Sequence, residues 1–125
     1  MKTILLAEDR QINVMLMQAM IAEVLPDSEL VVAENGKIAV EKWETLNPDI
    51  ILMDMNMPEL NGIEATKFIR EKESGSDSHT PILALTAATD SDEVNSYKEA
   101  GMDDFIAKPV LLDDLNEKLK TYLSI

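Results

Sequence analysis

The stretch Ile50-Ile51-Leu52-Met53-Asp54 constrains this chain more than any other. Four apolar residues in a row, with no polar alternation, describe a strand covered on both faces. The run ends on one carboxylate, and a turn carrying Pro58 follows. The arrangement recurs at three other strand ends. Thr3-Ile4-Leu5-Leu6-Ala7 runs into Glu8-Asp9, Pro81-Ile82-Leu83-Ala84-Leu85 into Thr86, and Asp104-Phe105-Ile106-Ala107 into Lys108-Pro109. Pro81 stands at the very start of its run, where proline is tolerated.

Helical patterns fill the intervals. The first helix is predicted from Gln11 to Leu25, stopped by Pro26. Glu29 to Ala33 reads as a strand, Asn35-Gly36 as the turn after it, and Lys37 to Leu46 as a helix ended by Asn47-Pro48. Gly62 to Glu73 reads as a third helix with Ile63, Thr66, Phe68 and Ile69 as its apolar positions, followed by a polar loop over 74–80. Asp90 to Ala100 is a fourth helix with Gly101 as its stop. Leu112 to Leu123 is the last, with Leu115, Leu119 and Leu123 on one stripe. Trp43, at helical spacing from Ala39 and Leu46, is expected in the core, and His79 on the surface.

Five strands alternating with five helices over short connections mean βαβ units with right-handed crossovers. The predicted fold is α/β: a doubly wound, five-stranded parallel sheet with helices on both faces. Five strands in so short a chain favour the flavodoxin-like order 2-1-3-4-5 over the dinucleotide-binding order. With 125 residues, a single domain over 1–125 is expected.

Charge and composition narrow the partners. The formal net charge is −13, which argues against nucleic acid or an anionic membrane as a direct partner, because both need a basic patch. There is no cysteine, so disulfides and thiolate metal sites are excluded. That suits a reducing compartment, and a cytoplasmic location is expected. The opening residues are too short an apolar run, and too acidic, for a signal peptide, and no run approaches the length of a membrane span.

In the 2-1-3-4-5 order the strand ends share one edge, and strands 1 and 3 are neighbours at the switch point, where ligands bind. Glu8, Asp9 and Asp54 then crowd into one crevice. Carboxylates that close cannot all ionise uncompensated. A hard divalent cation compensates them, and magnesium suits a few carboxylates, a carbonyl and waters. Lys108 adds a point positive charge. A carboxylate nucleophile needs no deprotonation at neutral pH to take a phosphoryl group, provided the incoming charge is met. A Thr86 hydroxyl can hydrogen-bond a phosphoryl oxygen.

The set Glu8-Asp9, Asp54-Met55-Asn56-Met57-Pro58, Asn61-Gly62, Leu85-Thr86-Ala87, Ala100-Gly101 and Phe105-Ile106-Ala107-Lys108-Pro109 resembles the receiver domain of two-component response regulators, and most of all the receivers of hybrid sensor histidine kinases. The match spans the chain. The resemblance implies that Asp54 accepts a phosphoryl group from a phosphohistidine on a histidine kinase or histidine phosphotransfer protein. It implies that Asp9, Asp54 and the Asn56 carbonyl hold Mg2+, with Glu8 assisting through water. It makes Thr86 and Lys108 the phosphoryl contacts, Thr86 and Phe105 a conformational switch, and Lys108-Pro109 a cis peptide. It also implies a protein that assists its own phosphorylation and dephosphorylation without being an enzyme, and homodimerisation on phosphorylation as an expected assembly. Asn61 replaces the usual Asp of its turn, and Phe105 the usual Tyr.

Three rival functions are weaker. A phosphohydrolase of this chemistry carries Asp-x-Asp, whereas this chain has Asp54-x-Asn56, and Asn cannot transfer a proton. A flavin or nucleotide module wants a Gly- or Ser/Thr-rich loop after strand 1, where this chain has Glu8-Asp9-Arg10-Gln11. A receiver serving only as an adaptor has no need of the full acceptor set.

The first helix is apolar nearly all round. A helical wheel puts Met17, Met20 and Val24 on the core side, flanked by Leu16 and Ile21, and Met15, Ala19 and Ala22 opposite, with Ile12 at the margin. Ile12, Met15 and Ala19 are therefore expected to form an exposed docking patch for the phosphodonor.

Overall fold

In the computed structural model, which describes every residue except Asn56, Pro58 and Glu59, the elements alternate from end to end. They are β1 (Thr3–Ala7), α1 (Gln11–Val24), β2 (Glu29–Ala33), α2 (Gly36–Leu46), β3 (Ile50–Asp54), α3 (Gly62–Glu73), β4 (Ile82–Thr86), α4 (Ser91–Ala100), β5 (Asp104–Ala107) and α5 (Leu112–Leu123). The strands form one sheet in the order β2-β1-β3-β4-β5, and every pairing is parallel. Architecture and order are those expected from the sequence.

Strand alternation divides the core in two. Leu5, Ala7, Ile51, Met53, Ile82 and Ala84 face one way, toward α2, α3 and α4. Ile4, Leu6, Ile50, Leu52, Leu83 and Leu85 face the other, toward α1 and α5. This explains the unbroken apolar runs: each strand feeds both cores. The α5 stripe is buried as expected, with Leu115, Leu119 and Leu123 all in the second core.

Several local expectations shift. Asn35 is the N-cap of α2, its Oδ1 accepting the Ile38 amide at 2.8 Å, so the helix opens at Gly36 rather than Lys37. Asn61 caps α3 in a capping box with Glu64, and Asp90 caps α4. Trp43 is only half-buried, and its Nε1 donates to Thr80 Oγ1 at 3.0 Å, which lets the indole sit at the rim of the core. Phe68 is 48% exposed because Ala65, Thr66 and Ile69 fill the inner face of α3. Leu16, placed beside the core by the helical wheel, is 59% exposed. The buried stripe of α1 is Val14, Met17 and Ile21, rotated from the expected axis.

At the strand N-termini, away from the acidic end, Arg70 Nη1 and Nη2 pair with Glu73 and Asp103, and its Nε donates to the Gly101 carbonyl at 2.9 Å. Asp103 also accepts the Ile82 amide and meets His79 Nε2 at 2.7 Å. His79 is at the surface, as expected, but engaged in this network.

Candidate acidic pocket

Sheet register assembles the pocket. Ala7 pairs with Met53, so Glu8 and Asp54 leave the sheet side by side. Thr86 pairs with Ala107, so Lys108 follows one residue beyond, its amide donating to the Thr86 carbonyl at 2.8 Å. Carboxylate oxygens of Glu8, Asp9 and Asp54 all lie within 4.8 Å of one another. Asp54 is 3% and Glu8 2% exposed, while Asp9 faces solvent. Lys108 Nζ stands 3.2 Å from Asp54 Oδ2. The Lys108–Pro109 peptide is cis, as expected.

The crowding makes Glu8 harder to ionise. Burial, and then its hydrogen bond with Asp54, push its carboxyl up to about 7, against the Arg10 amide, which donates to Oε1 at 3.1 Å. Protonation of Glu8 therefore relieves part of the crowding as pH falls through that value. Its donor set is hard oxygen, with no sulfur or imidazole, which fits magnesium. A cavity of ≈ 140 Å³ opens beside it, lined by Arg10, Asn13, Asp54 and Lys108. Arg10 and Asn13 were not singled out by sequence reasoning; their place in the first residues after Glu8-Asp9 was the available signal.

Of the remaining expected site residues, Asn56 lies outside the described residues. Thr86 is 5% exposed, and its hydroxyl lies 2.7 Å from Tyr97 Oη. Phe105 is half-buried against the α2–α3–α4 core that contains Tyr97. Ile12 (69%), Met15 (58%) and Ala19 are all exposed on α1, and exposed Leu16 joins them. Leu16 also leads into a groove of ≈ 700 Å³, lined with Met17, Met20 and Val110, that runs to Glu8 and Lys108.

The family model of the response regulator receiver domain matches residues 4–120. Among curated relatives, hybrid signal transduction histidine kinase G of Dictyostelium discoideum is 37% identical over 95% of this chain, which spans only 3% of that protein. Among solved structures, the receiver domain of the sensor histidine kinase PA1611 from Pseudomonas aeruginosa, with magnesium coordinated in its active-site cleft, is 33% identical with a TM-score of 0.86. The alignment covers 99% of this chain and 98% of that one. The receiver domain of Ssk1 from Saccharomyces cerevisiae, crystallised with the histidine phosphotransfer protein Ypd1, is 30% identical with a TM-score of 0.88, over 98% of this chain and 89% of that one.

Proposed function

The chain belongs to the response regulator receiver family of two-component phosphorelays, and we propose that Asp54 is its phosphoacceptor, charged by the phosphohistidine of a histidine kinase or histidine phosphotransfer protein. The observation that carries this reading is the seating of Asp54. It is buried at the end of the middle strand, beside two further carboxylates, and one of its oxygens faces a lysine at 3.2 Å. In the transfer, an Asp54 oxygen forms the new P–O bond as the P–N bond to the donor imidazole breaks. Lys108 meets the charge on the phosphoryl oxygens. Asp9 and Asp54, with the Asn56 carbonyl and with Glu8 through water, would hold magnesium, which when bound neutralises charge on the transferring group. Thr86 supplies a hydroxyl to a phosphoryl oxygen, and Phe105 follows its movement. Water reaching the same cavity hydrolyses the acyl phosphate, so the pocket assists both gain and loss of the group. A cytoplasmic location follows from this reading.

The test is labelling with acetyl phosphate and magnesium, read by intact mass. The wild type should gain one phosphoryl group and Asp54→Ala none. Equal uptake by the variant would remove Asp54 from its role.

The α1 patch serves the donor. Ile12, Met15, Leu16 and Ala19 are exposed on α1, and the groove that Leu16 lines leads to Glu8 and Lys108. Flexible, polarizable methionine suits such a surface. The occupant is the histidine-bearing helix of the donor, which must approach the buried carboxylate from this rim. Met15→Glu should slow transfer from a protein donor on the order of tenfold, the effect of losing a central interface contact, while acetyl phosphate labelling persists. Equal loss of both would mean a damaged fold, and no loss of either would take α1 out of the interface.

A further inference from the structure

Thr86 is not poised over the acidic pocket. It shares its strand alternation with Ile82 and Ala84, which face α2, α3 and α4. Tyr97 of α4 is packed on that side at 3% exposure. Three hydrogen bonds close a small ring there. The Ala88 amide donates to Thr86 Oγ1 at 3.0 Å, Tyr97 Oη donates to the Ala88 carbonyl at 2.8 Å, and Thr86 Oγ1 lies 2.7 Å from Tyr97 Oη. Each hydroxyl has one proton. Because Tyr97 spends its own on Ala88, Thr86 must donate to Tyr97. The alternative acceptor for the Thr86 proton, the Ala88 carbonyl at 3.4 Å, is longer and already served.

We propose that Tyr97 is a positioning residue for phosphoryl acceptance: its hydroxyl engages the Thr86 proton in the resting protein, and Thr86 must leave it to reach a phosphoryl oxygen on Asp54. The inference rests on Asp54 being the acceptor. Tyr97 thereby sets the resting balance between a Thr86 turned to α4 and a Thr86 turned to the pocket. It also ties α4 to that balance, because the ring joins α4 to the β4–α4 connection. Phe105, packed against the same core, has no hydroxyl with which to do this. When Thr86 departs, the Ala88 amide loses its acceptor, while Tyr97 keeps its bond to Ala88 and loses only a donor, so the share of the barrier that Tyr97 holds is one neutral hydrogen bond. Such a bond holds an equilibrium by roughly two- to tenfold.

Tyr97→Phe keeps the ring and removes the hydroxyl. Labelling by acetyl phosphate with magnesium should quicken roughly fivefold. In a Thr86→Val background the same substitution should change nothing, which a merely structural role for Tyr97 does not require. A Tyr97→Phe protein that labels no faster than wild type, or a quickening that persists without the Thr86 hydroxyl, overturns the proposal. Should Tyr97→Phe fold poorly, the wild type decides. Beryllium fluoride with magnesium should shift the carbon resonance of the Tyr97 phenol carbon, and an unmoved resonance overturns the proposal as well. Failure of the acceptor reading looks different: Asp54→Asn labels like wild type. The Tyr97 bond is then judged by the Thr86 methyl coupling constant, which should become averaged in Tyr97→Phe; an unchanged coupling counts against it.

Discussion

Gly36→Ala is expected to destabilise the protein by about 2 kcal/mol, the scale of an overpacked contact, although alanine in place of glycine inside a helix ordinarily stabilises by about 1 kcal/mol. The reversal comes from one contact. A Cβ on Gly36 would collide with the Leu60 carbonyl oxygen and lie 2.7 Å from its carbon. These are backbone atoms, so no side chain can swing aside; α2 or the segment before α3 must move. That segment is confined at its other end too, since a Cβ on Gly62 would lie 2.7 Å from the Asp54 carbonyl oxygen. Leu60 and the end of β3 at Asp54 are thus each met closely by a glycine. Moving Leu60 also loads the end of the segment that leads back to Asp54, so the stabilisation gained from magnesium should shrink in the variant. Urea unfolding with and without magnesium, followed by Trp43 fluorescence, measures both. A variant as stable as wild type would show that the close approach relaxes freely.

The second large effect concerns Glu8. In the metal-free protein its carboxyl is raised from its ordinary 4.5 to about 7, chiefly by burial and then by Asp54, with Lys108 opposing. Asp9 and Arg10 border the same group from the solvent side. Between those two values the folded state binds more protons than the unfolded state, so stability falls as pH rises through the window. It is fully present below about 4.5 and lost above about 7. At 1.36 kcal/mol per pKa unit the loss is on the order of 3 kcal/mol. Glu8→Gln mimics the protonated form. It should match wild type near pH 5 and be more stable by a few kcal/mol at pH 8, when metal is absent. Magnesium competes with the Glu8 proton, so wild-type affinity should weaken about tenfold for each pH unit below 7 and level off above it. Thermal melts across pH, with and without magnesium, decide the matter. A flat metal-free profile between pH 5 and 8 would mean that Glu8 is ionised throughout.

The sheet order and four of its chemistry-bearing ends were legible because they depend on short-range signals. An unbroken apolar run marks a doubly covered strand, and the residue closing each run marks the ligand end of the sheet. Glu8, Asp54, Thr86 and Lys108 needed only those two rules to be brought to one edge. What stayed hidden depends on contacts between elements distant in sequence. Tyr97 looks like any aromatic on a helix until α4 is packed against β4, and only then does its hydroxyl find Thr86. Gly36 looks like half of a turn until Leu60 arrives beside it. Leu16 and Phe68 carry ordinary core chemistry, yet Val14 and Met17 on one helix, and Ala65 and Ile69 on the other, occupy the inward positions. A helix apolar on nearly every side gives the wheel no sharp axis, so small errors in rotation move whole residues to the wrong face.

Asp54 closes β3, which hydrogen-bonds to β1 on one side and β4 on the other and is buried along its whole length. A strand so placed opens only when much of the domain opens with it, whereas the loops after β1, β4 and β5 lie outside the strand ladder. The proposed acceptor therefore sits on an anvil, with the loops of the pocket around it. A dianion installed there, as proposed, cannot be accommodated by bending what it stands on, so its electrostatic work would be delivered outward, to the loops that carry Asp9 and Lys108 and to the Thr86 side chain at the end of β4. On the proposed reading, the domain would convert a local charge into surface rearrangement because the charged residue itself has nowhere to go.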